Sequence, residues 1–397
     1  MCFIYLDSNK KKAHSFYMFS QRLNDLHPYV PGEQPKDREY IKLNANENPY
    51  PPPESVAGAV TELLQNDRKK FALYPDPDAN DLRIAIADML NKTGGCLNNP
   101  DTSILSDSIT ADMIFCGNGS DEVLSFVFYA FFGSNLPVVF PEFTYSFYPV
   151  YAGYYNIPTR KVPMNNDWSL NIDLLLDAVN GTGLYSDKGE SSGLIFANPN
   201  APTSLALTRQ QVRNILDKYP RDKVLVIDEA YVDFGQESVL SLVNDYKNLV
   251  VIRTFSKSLC FAGMRLGYLV ADKDVTSRIF TVKNSFNHFP VDVLAATAGV
   301  AACKNITYYV SITQQITKTR EWFIHSLRKE NWIIPDSQTN FVLCKKSGLQ
   351  GDFIYQKIKE HGILVRYFAT PGINDCVRVS IGTQEQMEKL ANIMNSI

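Results

Sequence analysis

The 397-residue sequence has no run approaching the roughly 20 apolar residues that cross a bilayer. Its seven cysteines, Cys2, Cys96, Cys116, Cys260, Cys303, Cys344 and Cys376, are odd in number, scattered and never paired as CxxC. That argues against a disulfide framework and a structural zinc site, and makes a reducing cytoplasm the expected compartment. An excess of either charge is missing too. The formal net charge is −3 with interspersed signs, so neither a basic face for nucleic acid nor a polybasic membrane segment exists. A small molecule or another subunit is the expected partner. The opening "MCFIYLDSNKKKAHSF" sets its lysines after a very short apolar run, the reverse of a secretory signal. There is no internal repeat and no low-complexity tract.

What is present is a rhythm. Residues 1 to about 50 lack a clear period and lead into "LNANENPYPPP", which its prolines keep from being helical. Apolar runs then follow: "MIFCG" (113–117), "LPVVF" (136–140), "GLIFAN" (193–198), "VLVID" (224–228), "NLVVI" (248–252) and "GYLVA" (267–271). They alternate with stretches of helical period, the pattern of an α/β domain with a mainly parallel sheet between helices. Ligands of such sheets gather at the C-terminal ends of the strands. From about residue 300 a long helical segment runs through Lys329, followed by the short strands "NFVLCK" and "VRVSIG" and a last helix with Leu390, Ile393, Met394 and Ile397 on one stripe. A smaller α+β lobe is expected there.

The strand ends carry the chemistry. "VLVIDEAYVDF" ends on Asp228 and Glu229 with Tyr231 beyond, and "RTFSKSLCFAGMRLGY" (253–268) sets Lys257 and Arg265 after the next strand. The Pro-broken, Asn-rich loop "ANPNAPTS" follows the strand before. In "CGNGSDEVLSFVFYAF" a strand, a glycine loop and a helix succeed one another, so the backbone amides of Ser120 and Asp121 open a helix and form an anion site. An amine, a carboxylate, a phenol and a phosphate cradle on neighbouring strand ends are what a pyridoxal phosphate site requires.

With "LNANENP", "YPDP", "GNGSDE", "TYSFYPVY", "NPNAPT", "DEAYVDF", "RTFSKSLCFAGMRLGY", "GILVRYF" and "VRVSIGT" in that order, the chain resembles the fold-type I aminotransferases, and within them the histidinol-phosphate aminotransferases. The resemblance implies a large pyridoxal-phosphate-binding domain over 51–295 with a sheet of the seven-stranded type. It also implies a small C-terminal domain over 296–397, and an arm over 1–50 that joins the small domain. By resemblance Lys257 would bond the cofactor and shuttle a proton, Asp228 would pair with its ring nitrogen, and Tyr231 would donate to its phenolic oxygen. Tyr145 would stack on the ring. The phosphate would be held by Gly119, Ser120, Asp121, Thr254, Ser256 and the planar fork of Arg265, with Tyr74 reaching it from the partner of a homodimer. The family commonly has asparagine where Ala201 stands and glycine where Ser204 stands. Either Asn200 takes that asparagine's role or Tyr231 carries it alone.

Arg366 and Arg378 lie in "GILVRYF" and "DCVRVSIGT". The resemblance makes them the readers of the substrate anions, the phosphate of histidinol phosphate and the carboxylates of glutamate, with Tyr29 and Asn46 lining the same side. The implied reaction is reversible amino transfer between L-histidinol phosphate and 2-oxoglutarate. An aromatic aminotransferase or a threonine-phosphate decarboxylase would share the cofactor residues. No metal is expected.

Overall fold

The computed structural model describes residues 20–29, 32–106, 108–133, 135–235 and 237–397. Strand β1 (Ile41–Lys42) precedes β2 (Ile114–Asn118), β3 (Val138–Pro141), β4 (Thr159–Val162), β5 (Gly193–Ala197), β6 (Val224–Asp228), β7 (Leu249–Thr254) and β8 (Leu266–Ala271). Strands β2 to β8 form one seven-stranded sheet in the order β2-β8-β7-β6-β5-β3-β4. Its neighbours pair in parallel except where β8 runs against β2 and β7. The apolar runs of the sequence become six of these strands. The seventh, β4, reads "TRKV" and is half-exposed at the sheet edge, so no apolar run announced it.

Both faces of the sheet are buried, which is why the runs are continuous rather than alternating. Successive side chains still point to opposite faces. In β6, Leu225 and Ile227 pack with Leu82, Ile86 and Leu90 on one side, whereas Val224 and Val226 pack with Phe126, Phe128 and Tyr148 on the other. Asp228 and Glu229 continue that alternation onto opposite faces.

The last quarter of the chain adds β9 (Trp332–Ile333), β10 (Phe341–Lys346), β11 (Ile363–Leu364), β12 (Arg366–Tyr367) and β13 (Val377–Ser380). An antiparallel sheet runs β12-β13-β10-β9, and β1 pairs in parallel with β11. The helices Ile306–Arg328 and Gln384–Asn395 cover it, sharing a separate core of Phe323, Leu327, Phe341, Ile354, Leu390 and Met394. Leu43, just after β1, is buried in that core. A capping box between Thr383 and Gln386 starts the last helix. Of the expected stripe, Leu390, Ile393 and Met394 are buried, and Ile397 lies past the helix end. Among the described residues no helix is long and apolar enough to cross a membrane, and the six described cysteines are free; Cys2 lies outside them.

Candidate active site

Past β7 the backbone turns sharply, with the Ser256 amide donating to Thr254 Oγ1 at 3.1 Å. This delivers Lys257 to the C-terminal edge of the sheet. The lysine is half-buried. Its Nζ donates to the Ala45 carbonyl at 3.3 Å and lies 5.8 Å from the centre of the Tyr231 ring. Asn48 donates to the Lys257 carbonyl at 2.9 Å, so the loop after β1 folds directly over the lysine.

One strand away, Asp228 is 4% exposed. Its Oδ1 accepts from the Ala230 amide at 3.0 Å and its Oδ2 from the Tyr148 hydroxyl at 2.9 Å. No cation pairs with it among the described residues. Burial pushes its carboxyl up to about 6, opposed by those two hydrogen bonds. Tyr231 accepts from Asn46 Nδ2 at 3.0 Å, which leaves the phenol's own hydrogen to be donated. Asn46 takes a left-handed backbone, φ 54°, and is held by Ser380, whose hydroxyl donates to Asn46 Oδ1 at 2.9 Å and accepts from the Asn46 amide at 2.8 Å. Both ends of the Asn46 amide are engaged, so it acts through Tyr231.

The glycine turn before the helix Gly119–Phe131 meets Arg265. Gly119 has φ +77°, and a Cβ there would lie 2.5 Å from Arg265 Nη2. Only glycine admits the guanidinium this close. No side chain caps this helix, so the amides of Ser120 and Asp121 stay available. Arg265 pairs with Asp121 at 2.9 Å and donates to Ser256 Oγ at 3.3 Å, which joins the helix start, the lysine turn and β8 at one point. Tyr145 donates to Asp121 Oδ1 at 2.9 Å, and burial raises its phenol pKa well above the ordinary value.

Arg366 and Arg378 face each other in register across β12 and β13. Arg378 Nη2 donates to the Asn44 carbonyl at 3.0 Å, while its Nε is buried without a partner. Burial lowers the Arg378 pKa, and the neighbouring Arg366 charge adds to the effect. Both guanidinium groups lie 5.6 Å from the centre of the Phe368 ring. These arginines, Lys257, Tyr231, Asn46, Tyr145 and Tyr29 line one cavity of about 390 Å³. Its wall also carries Lys42 and Lys161, with Glu142 as its one acid among the described residues. The cavity is built for anions.

Of the expected residues, Gly119, Ser120, Asp121, Asp228, Thr254, Ser256 and Arg265 are not in the lining of this cavity, and neither are Asn200 and Tyr74. Asn200 spends both amide hydrogens on the Phe143 carbonyl and Thr203 Oγ1, each at 2.9 Å, and its unpartnered atom is an acceptor. It braces its loop with both amide hydrogens engaged, which favours the alternative in which Tyr231 acts alone. Tyr74 is 83% exposed and stacks on Phe289 with centroids 4.7 Å apart; it lies outside the cavity of its own chain. Ser204, where glycine was expected, keeps the left-handed backbone at φ 67°.

Sequence reasoning missed Tyr148, Asn48, Ser380 and Phe368. Tyr148 had a signal, because the two-residue period of "VLVID" aims Asp228 at the face where an aromatic from "TYSFYPVY" must pack.

A profile of the aminotransferase class I and II family matches residues 38–394. The chain belongs to this family. A histidinol-phosphate aminotransferase of Syntrophus aciditrophicus is 45% identical over 375 residues, 94% of this chain and 96% of the relative. One from Acinetobacter baumannii is 40% identical over 376 residues, 95% and 96% of the two chains. The fold matches that of the Sinorhizobium meliloti histidinol-phosphate aminotransferase solved with pyridoxal-5'-phosphate, with a TM-score of 0.79 at 23% identity, covering 96% of this chain and 99% of that one. The residues fit the family's cofactor. A buried carboxylate without a cation suits a protonated ring nitrogen, and the Gly119 turn with Arg265 suits a phosphate.

Proposed function

We propose that this aminotransferase is a pyridoxal-phosphate-dependent histidinol-phosphate aminotransferase, moving an amino group reversibly between L-histidinol phosphate and 2-oxoglutarate. The names of its relatives support this reading. The observation that carries it is the pair Arg366 and Arg378, registered side by side in a cationic cavity that also holds Lys257. A planar donor fork suits both the phosphate of one substrate and the carboxylates of the other.

Lys257 would hold the cofactor covalently, Asp228 would stand against its ring nitrogen, and Tyr231 would donate to its phenolic oxygen. Tyr145 would cover the ring, and Gly119, Ser120, Asp121, Thr254, Ser256 and Arg265 would surround its phosphate. When bound, the cofactor supplies an electron sink for the bond broken next to the amino nitrogen. Lys257 Nζ would carry the proton between that carbon and the cofactor, a role served by its position on the cavity wall beside Ala45. Tyr29 and Phe368 flank the region where the substrate ring would sit. Tyr74 would complete the phosphate site of a second copy, which makes a cytoplasmic homodimer the working unit. Its exposed ring, together with exposed Leu73 and Phe286, supports that assembly.

The test is transamination by the purified protein with 2-oxoglutarate as acceptor, offering histidinol phosphate, histidinol, phenylalanine and threonine phosphate. Histidinol phosphate should be preferred strongly over its neutral alcohol. Equal use of the two, or a preference for phenylalanine, would overturn the assignment.

A further inference from the structure

The one hydrogen-bonded side chain on Asp228 belongs to a residue that no part of the reading above employs. Tyr148 has 0% exposure, and its ring lies among Phe128, Phe140 and Tyr145 at centroid separations of 6.3, 6.5 and 5.6 Å. That packing fixes where its oxygen points. The hydroxyl makes a single hydrogen bond, donated to Asp228 Oδ2 at 2.9 Å. A residue kept only for packing at this site would be better served by phenylalanine, because a buried hydroxyl must find a partner. We propose that Tyr148 is a positioning residue, which aims the Asp228 carboxylate and holds it in the charged form through that one hydrogen bond.

The surroundings bear on this from every side. From the helix start comes Asp121, paired with Arg265 at 2.9 Å; along the strand lies Glu229, paired with Arg253 at 2.9 Å. Both acids push the Asp228 carboxyl up, as burial does. The Tyr151 phenol also feels the Asp228 charge, and like the Tyr145 phenol it donates to Asp121 rather than to Asp228. The Tyr148 phenol is itself held well above its ordinary range, first by burial and then by Asp228, so it keeps its hydrogen at any working pH and always acts as donor. Apart from the Ala230 amide, nothing else in the described structure holds the charged form of Asp228.

The functional meaning of this inference rests on the proposed pyridoxal phosphate chemistry, but its physical content does not. In cofactor-free protein, the carbonyl infrared band of a protonated carboxyl group can be followed as pH falls, and assigned to Asp228 by its loss in Asp228→Asn. Tyr148→Phe, which keeps the ring, should move the midpoint of that band to higher pH, a rise in proton affinity of roughly 10- to 100-fold. Tyr151→Phe should leave the midpoint where it is. In the holoenzyme, the acid limb of the kcat/KM profile should shift the same way in Tyr148→Phe, with rates recovering toward those of the unmodified enzyme at alkaline pH. An unchanged infrared midpoint in folded Tyr148→Phe would overturn the proposal, and so would an equal loss of rate at every pH. If the midpoint shifts while no transamination is found, the positioning role stands and the functional reading falls.

Discussion

Asp228 and Glu229 are adjacent in sequence and both buried, yet their surroundings are opposite. Glu229 faces Arg253 at 2.9 Å, accepts from the Val239 amide and the Ser238 hydroxyl at 2.7 Å, and shares its arginine with Asp233 at 3.1 Å. Every charge there is answered. Asp228, turned to the other face of the sheet by the strand's two-residue period, has two hydrogen bonds and no cation among the described residues. A carboxylate that has lost its water and gained no countercharge costs free energy. On the proposed function a ligand would bring the positive charge, so that one network is closed and holds the fold while the other is open to chemistry.

Breaking the closed network should give the largest effect. Arg253→Met would leave Glu229 and Asp233 buried without their cation, costing about 3 to 5 kcal/mol, visible as a lower midpoint in urea unfolding.

Asp228→Asn should do the reverse to stability and remove activity. The folded-state pKa of about 6 lies above the ordinary carboxyl value of 3.8, so the native state binds the proton more tightly than the unfolded chain. Stability of the cofactor-free protein should therefore fall as pH rises from about 4 to about 6, by on the order of 3 kcal/mol through this group. The Asn variant should lack that fall and be the more stable protein near neutrality while binding pyridoxal phosphate poorly. Urea unfolding at several pH values checks it; a larger pH-dependent loss in the variant would break the comparison.

Arg378→Lys keeps the charge and loses the fork, and should cost on the order of 1.5 to 3 kcal/mol in kcat/KM for the anionic substrates with the cofactor spectrum unchanged. Smallest is Tyr74→Phe, which removes one hydrogen bond worth about 1 kcal/mol to cofactor affinity. Mixed with Lys257→Ala subunits, it should regain some sites with both groups intact; a fully active monomer on dilution would contradict the shared site.

The same contrast explains what the sequence could tell. The strands β2, β3, β5, β6, β7 and β8 were legible because burial on both faces makes apolar runs. Strand β4 was not, since Thr159 and Lys161 lie exposed at the edge. The two-residue strands β1 and β11 owe their pairing to a contact between distant parts of the chain, which no local pattern records. Lys257, Asp228, Tyr231 and Arg265 stand at ends of apolar runs and could be picked out. That Asn200 is used up on the Phe143 carbonyl, and that Asn46 reaches Tyr231, depends on side-chain geometry across loops far apart in sequence. Residue type alone could not distinguish the two asparagines.

On the proposed function the open acid at Asp228 serves a cofactor carried by Lys257. Pyridoxal phosphate added to the protein, followed by borohydride reduction and peptide mapping, tests it most directly. A single stoichiometric adduct on Lys257 is expected, absent in Lys257→Ala together with turnover. An adduct on another lysine, such as Lys161 in the cavity wall, with normal turnover in Lys257→Ala, would contradict it.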